Sequence, residues 1–330
     1  MKPRSITQWL RRNPAALGLS TIAALLIGLL LYEVILNRFT MISRDKDLLR
    51  DFETAVVSIL LVGYLAGAYY AVLRSTRDTL DELATWKTAA DAVGRDSAGS
   101  IGKKGFLAIG LVGALLAAIM NYLTTESAWS WSAWEPEVWW HRILGLFIGW
   151  WFAWFATGVA DSSEHISRLA ARIESVDLLD PSPWFPSVKH GLLTALLTIG
   201  AVSISSLYLV DPEVLPGVAI VLGLCLPLAL VVFLLPVRGV HRRISRAKEA
   251  EIEWTRNRIR QSRSLLHDSS SDVLPSQMAD LIAYLELIEG VPVWPFQRST
   301  IVRLLLYLLI PAVSWAGKQL VETALEQLFT

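Results

Sequence analysis

The chain has 330 residues, of which 53% are hydrophobic, and its formal net charge is zero. The balanced charge gives no electrostatic reason to expect a nucleic-acid partner, and the single cysteine, Cys225, excludes a disulfide within the chain. The hydrophobic residues are gathered into long runs between charged segments, a pattern typical of membrane proteins.

Six apolar runs are long enough to cross the hydrocarbon core of a bilayer as helices, which takes about 20 residues. They cover residues 15–36, 54–73, 105–123, 142–160, 190–210 and 214–236. The runs come in three pairs, and a charged, amphipathic segment follows each pair. We therefore predict an all-α fold: a polytopic helical membrane protein with six to seven transmembrane helices in hairpins and a cytoplasmic helical layer.

The basic residues fall mostly on one predicted side of the membrane. With the N-terminus inside, the inner segments 1–14, 74–104, 161–189 and 237–303 hold 24 of the 30 Lys and Arg residues. Basic residues beside spans are retained in the cytoplasm. We predict a multi-pass protein of the plasma membrane, the inner membrane in a bacterium, with a cytoplasmic N-terminus and an uncleaved first span.

Two similar junctions return the chain to the membrane. Residues 180–186 are Asp-Pro-Ser-Pro-Trp-Phe-Pro, and residues 290–296 are Gly-Val-Pro-Val-Trp-Pro-Phe. Proline ends the preceding helix, tryptophan is expected at the level of the headgroups, and Ser187 or Ser299 is expected to cap the next helix. The recurrence predicts a seventh membrane segment over 301–317, in which Pro311 either kinks a span or marks a re-entrant half-helix.

This organisation predicts three regions. A transmembrane domain covers 1–236, a cytoplasmic helical region covers 237–298, and a C-terminal membrane segment with an amphipathic tail covers 299–330. Residues 238–266 contain no proline, so we expect them to continue the sixth span as one long helix.

The chain has 14 tryptophans, several of them in the loop between the third and fourth spans. We interpret this cluster as an interfacial belt; the alternative is an aromatic patch for a lipid, a pigment or a small cation. The predicted interfacial aromatics are Trp129, Trp131, Trp134, Trp139, Trp140, Trp184 and Trp294.

Small residues inside the spans predict close helix packing. Two Gly-x-x-x-Gly motifs are formed by Gly63 with Gly67 and by Gly145 with Gly149. Glycines at this spacing let helices approach closely. We favour packing within the chain, with contacts between subunits as the alternative.

Polar residues inside the spans are candidates for lining a pore or for bonding between helices. These residues, together with the proline of the last run, are Asn121, Ser203, Ser205, Ser206 and Pro311. A serine can instead bond the backbone of its own helix, which we consider the commoner case.

A basic cluster follows the sixth span and is predicted to contact anionic lipid headgroups. Its members are Arg238, Arg242, Arg243, Arg246 and Lys248.

The sequence contains no recognisable catalytic or metal-binding motif, such as Gly-x-x-x-x-Gly-Lys, His-Glu-x-x-His, Cys-x-x-Cys or Gly-x-Ser-x-Gly. We therefore predict no enzyme activity, catalytic residue, metal or cofactor. Ionisable residues are nearly missing from the spans, which argues against a proton-coupled pump.

The large inner layer suggests assembly or partner binding. We expect a homo-oligomeric channel or pore with a helical cytoplasmic vestibule, in contact with membrane lipids. The alternative is a non-conducting scaffold or accessory subunit that binds a membrane-complex partner through its cytoplasmic helices. A transporter ranks third, because nothing marks a binding site at the middle of the membrane.

Overall fold

The computed structural model describes residues 13–35, 46–85, 103–124, 136–171, 177–180, 182–208, 215–268, 273–296, 298–313, 316–317 and 320. Helices account for nearly all of these residues, and no strand occurs among them. The prediction of an all-α fold is confirmed for this part of the chain.

The described residues form eight α-helices, which we name in chain order. They are α1 Pro14–Ile35, α2 Lys46–Thr85, α3 Lys103–Thr124, α4 Pro136–Ala170, α5 Phe185–Ser205, α6 Leu215–Asp268, α7 Val273–Gly290 and α8 Arg298–Leu308. Short 3₁₀ turns at Ser182–Trp184 and Ser206–Tyr208 flank α5.

Four of the described helical segments are long and apolar enough to cross a membrane. They are Pro14–Ile35, Leu48–Leu83, Trp140–Ala170 and Ser182–Tyr208. Two shorter apolar segments accompany them: Gly105–Ile119 in α3, and Ser299–Val313, which overlaps α8 and extends beyond Leu308. The chain therefore has the features of a membrane-embedded helical protein, while the number of six or seven spans and their hairpin arrangement stay predictions.

The charged segments are direct continuations of the apolar helices. No glycine or proline interrupts residues 74–85, and α2 runs through them to Thr85. In the same way α4 continues to Ala170, and α6 extends over 54 residues to Asp268. The prediction of one long helix through 238–266 is confirmed, and the helix also continues through Pro227 and Pro236, each of which lacks a backbone donor.

The helices pack around α2, α4, α5 and α6. Helix α2 contacts α1, α4 and α5; α3 contacts α4; α6 contacts α4, α5 and α7; and α8 contacts α5. One buried cluster joins Leu65 of α2, Phe155 of α4 and Val232 of α6. A second cluster, around Ile166 and Phe233, lies where α2, α4 and α6 acquire their charged residues. We call this region, with the junctions and α7, the charged end of the bundle.

Glycines allow α1 and α2 to touch through their backbones. A Cβ atom on Gly18 would lie 2.9 Å from the carbonyl oxygen of Gly63, and one on Gly67 would lie 3.0 Å from the carbonyl oxygen of Pro14. Contacts this short leave no room for a side chain. The first Gly-x-x-x-Gly motif thus lies in a contact between two helices of the same chain.

Among the described residues, the second glycine motif takes part in packing through Gly149. A Cβ atom on Gly149 would clash with the backbone of Gly113 in α3, whereas no described atom lies within 4 Å of the corresponding position on Gly145. Helices α3 and α4 therefore meet at Gly113 and Gly149, and Gly113 was not among the predicted packing residues.

Candidate functional site at the charged end

A fully buried histidine joins three helices at the charged end. His190 of α5 is 0% exposed. Its Nδ1 lies 2.9 Å from Oγ of Ser75 in α2, and its Nε2 lies 3.4 Å from Oγ of Ser162 in α4. The Ser162 hydroxyl donates to the carbonyl of Val159 at 3.1 Å. Because the Ser162 hydroxyl proton is used in that bond, Ser162 accepts a hydrogen bond from Nε2–H of His190. Nδ1 of His190 then carries no proton, and the Ser75 hydroxyl donates to it.

The sequence places this histidine on a polar stripe of α5. His190, Thr194 and Thr198 follow one another at intervals of four, so they share one helix face, and all three are buried. Thr194 and Thr198 donate to backbone carbonyls of their own helix. His190 was not among the predicted site residues because it stands at the end of a span. The spacing of four between His190, Thr194 and Thr198 was the signal that the sequence offered.

The α6–α7 pair is held by contacts at the end of α7. Lys248 Nζ donates to the carbonyl oxygens of Glu289 and Val291 at 2.7 and 2.8 Å. A helix leaves its last carbonyls without partners inside the helix, and a lysine there also suits the negative end of the helix dipole. Lys248 therefore holds the end of α7, a contact that the sequence did not predict, and its predicted contact with anionic headgroups stays a prediction.

Two further contacts align α7 with α6. Tyr284 donates its hydroxyl to Oε1 of Glu251 at 3.0 Å, and Arg256 pairs with Glu289 at 2.9 Å. Desolvation, followed by the hydrogen bond to Glu251, raises the pKa of Tyr284. A phenol is protonated at neutral pH even at its ordinary pKa of about 10, so Tyr284 is the donor in this hydrogen bond.

The other members of the basic cluster stay at the surface. Arg238, Arg242 and Arg246 are exposed, and Arg243 is half-buried. Their contact with anionic headgroups remains a prediction.

The junction before α5 differs from the prediction. Trp184 is 2% exposed and packs among the buried residues of the charged end, so its ring is part of the core. The 3₁₀ turn at Ser182–Trp184 directs the chain into α5 and carries this side chain inward. The expected cap by Ser187 is wrong: α5 begins at Phe185, Trp184 occupies the cap position, and the buried Ser187 hydroxyl has no hydrogen-bond partner among the described residues.

The junction before α8 keeps its aromatic residue nearer the surface. Trp294 is 38% exposed. Its ring stacks on His241 of α6 at 3.9 Å between centroids and also on Phe296 at 5.3 Å. Its place at the headgroup level stays a prediction.

An open apolar groove lies between the two junctions and α7, and we call it the junction groove. Its volume is about 580 Å³. Two leucines on its wall, Leu179 and Leu287, are 58% and 53% exposed. Two acidic residues, Asp177 and Glu286, also line it. The groove therefore offers an apolar surface with negative charge beside it.

The hydroxyls proposed for a pore are bound within their own helix. Ser203, Ser205 and Ser206 donate to carbonyls three or four residues earlier, at 2.7–2.9 Å. This is the local alternative that the sequence left open. Pro311 is buried, and the side chain of Asn121 lies outside the described residues.

Most of the tryptophan loop also lies outside the described residues, including Trp129, Trp131, Trp134 and the side chain of Trp139. Trp140 is half-buried and stacks on Tyr32 of α1 at 5.7 Å.

Within the described residues, no group of three or more His, Cys, Asp or Glu side chains is arranged to hold a metal ion. Comparisons of the chain with protein-family models, with curated proteins and with solved structures give no match.

Proposed function

We propose that this chain is a non-conducting membrane scaffold that binds a partner protein at its cytoplasmic layer through the junction groove. The distribution of Lys and Arg supports the cytoplasmic placement of the charged end. The observation that carries the proposal is an open apolar groove on a part of the protein that is firmly held in place.

The walls of the groove are held by specific contacts. Lys248 fixes the end of α7 beside the groove, and the stack of His241 on Trp294 fixes the second junction. A preformed surface binds a partner with a smaller loss of conformational freedom than a mobile one. Because Asp177 and Glu286 line the groove, we propose a partner segment with apolar side chains flanked by basic residues.

The test compares two leucine-sized residues on α7. Leu287 lines the groove, whereas Ile282 is 44% exposed and does not line it. Wild type, Leu287→Ser and Ile282→Ser are purified in mild detergent from native membranes, and bound partners are quantified by mass spectrometry. We expect one stoichiometric partner, reduced about tenfold by Leu287→Ser, which is the loss expected if Leu287 is one of the few contact residues that dominate binding.

The charge of the partner is tested separately. Asp177→Asn with Glu286→Gln is expected to weaken binding and to flatten its dependence on salt. Equal recovery of the partner with Leu287→Ser and Ile282→Ser, or no stoichiometric partner at all, would overturn the scaffold proposal.

A homo-oligomeric channel is the second candidate, and the surface of the last segment supports it. Large apolar side chains there are 36–67% exposed, and they are Ile301, Val302, Leu305, Leu306, Leu309, Ile310 and Val313. In a bilayer such a surface faces lipid chains or a second copy of the chain, and the channel proposal assigns it to a second copy. The channel proposal expects a ring-shaped oligomer in nanodiscs and salt-dependent conductance in planar bilayers. A monomer without conductance would rule it out.

A further inference from the structure

A second groove, separate from the junction groove, lies on the side of α2 near the start of α3. Its volume is about 520 Å³. Its lining combines aromatic rings, one leucine and charged side chains, namely Tyr69, Tyr70, Leu73, Arg74, Arg77, Asp78 and Phe106. We call it the arginine groove.

The lining changes from apolar to charged along α2. Tyr69, Tyr70 and Leu73 belong to the apolar run, and the arginines follow within about two turns, or roughly 10 Å of helix axis. A groove with this order resembles the boundary between acyl chains and headgroups, where amphipathic aromatic rings and arginines are both favoured.

The aromatic wall is held in place by α4. Trp154 Nε1 donates to the carbonyl of Phe106 at 2.9 Å. The rings of Tyr69 and Phe106 lie 5.9 Å apart, and the ring of Tyr69 lies 5.7 Å from that of Trp154. A smaller hollow of about 220 Å³ adjoins the arginine groove and shares Tyr69, Phe106 and Arg77 with it. Its lining also includes polar and acidic residues of α4, among them Asp161. Arg77 therefore borders both spaces.

The charges favour an anion that also carries apolar chains. Arg74 and Arg77 are both exposed at the charged side of the groove. Asp78 lies 3.8 Å from Arg74 and partly offsets its charge. A guanidinium binds phosphate oxygens through paired hydrogen bonds. The aromatic wall is apolar, and a soluble phosphate would leave it exposed to water, whereas the acyl chains of a phospholipid would cover it.

We propose that the arginine groove binds one anionic phospholipid, with its phosphate between Arg74 and Arg77 and its acyl chains against the aromatic wall of Tyr69 and Phe106. This site lies on α2 and α3 and is distinct from the basic cluster that follows Val237 in α6. It uses none of the residues of the junction groove, so it is independent of the proposed scaffold function.

The test measures lipid selectivity of the full-length protein by native mass spectrometry. The protein is titrated in detergent with phosphatidylglycerol and with phosphatidylcholine that has the same chains. The wild type is expected to retain phosphatidylglycerol preferentially. Arg74→Gln and Arg77→Gln should each reduce that preference about fivefold, the effect of one basic side chain near an anionic surface. The control is Arg263→Gln, an exposed arginine far along α6, which should change nothing.

A variant with the opposite expected effect keeps the test decisive if an arginine variant fails to fold. Asp78→Asn removes the carboxylate that competes for Arg74 and should increase phosphatidylglycerol retention. Phe106→Ala should weaken retention of both lipids. Unchanged selectivity in Asp78→Asn or in a folded Arg77→Gln would overturn the proposal. Displacement of the lipid by glycerol phosphate at equal concentration would also overturn it, because the site would then bind a soluble phosphate.

Discussion

Replacing Lys248 with methionine tests whether one lysine fixes the end of α7. Methionine keeps an apolar stem of similar length and removes the ammonium group. The change leaves the carbonyls of Glu289 and Val291 without the donor that now lies at 2.7 and 2.8 Å. A hydrogen bond to a charged group contributes about 1.5–3 kcal/mol when well buried. Lys248 is only half-buried, so we expect the two bonds together to contribute about 1–2 kcal/mol. This corresponds to a factor of about 5–30 in the equilibrium between the closed α7 and its locally unfolded form.

Hydrogen–deuterium exchange of the purified protein measures this equilibrium directly. Peptides from residues 273–290 should exchange about 5–30-fold faster in Lys248→Met, while peptides from α2 and α5 should not change. Lys248→Arg keeps a cationic donor and should recover part of the protection. The matched control is Arg263→Met, an exposed residue on the same helix. The assignment of Lys248 as the cap of α7 is refuted if Lys248→Met and Arg263→Met exchange alike over 273–290.

Three further predictions concern stability in detergent, measured as the midpoint of thermal unfolding. Gly149→Leu should destabilise the protein by about 1–3 kcal/mol because it overpacks the contact with α3. Gly145→Leu should be tolerated because no described atom lies within 4 Å of its Cβ position. Equal shifts in the two variants would contradict the packing described. Trp184→Ala should lower the free energy of unfolding by about 3–5 kcal/mol because a buried aromatic ring is lost. Trp294→Ala should lower it clearly less. A larger effect at Trp294 would argue against burial of Trp184. His190→Ala should cost about 2–4 kcal/mol through a cavity and two hydroxyls left without the ring; an unchanged midpoint would remove His190 from the set of residues that join the helices.

The course of several helices could be predicted from the sequence because length and hydropathy are local properties, although α6 also continues through the helix-breaking residues Pro227 and Pro236. Residues 74–85 contain neither glycine nor proline, so nothing stops α2 where its apolar run ends. The helices against which a given helix packs could not be predicted in this way, since they depend on which helix faces meet after folding. Gly149 was visible in its motif, but its contact with Gly113 was not, because the two positions are 36 residues apart and equally small residues occur elsewhere.

Residues with both an apolar body and a polar tip were assigned least well. Trp184 and Trp294 occur in similar junctions, and a tryptophan is suited to a headgroup layer as well as to a protein core. The turn before α5 buries the first ring, whereas the second stacks on His241 near the surface. Lys248 shows the same ambiguity, because its ammonium can reach a lipid phosphate as well as the end of a neighbouring helix, and its contact with the end of α7 depends on where that helix packs.

The two grooves at the charged end differ in the chemistry that they offer and in the elements that build them. The junction groove is formed by the two junctions with α6 and α7 and has acidic residues beside an apolar floor. The arginine groove is formed by α2 and α3 and places arginines beside aromatic rings. They share no lining residue, so a substitution such as Leu287→Ser should leave lipid selectivity unchanged, and Arg77→Gln should leave partner recovery unchanged. If either variant altered both properties, the charged end would have to respond as one cooperative unit, with the buried contacts of His190 to α2 and α4 as the connection between its two sides.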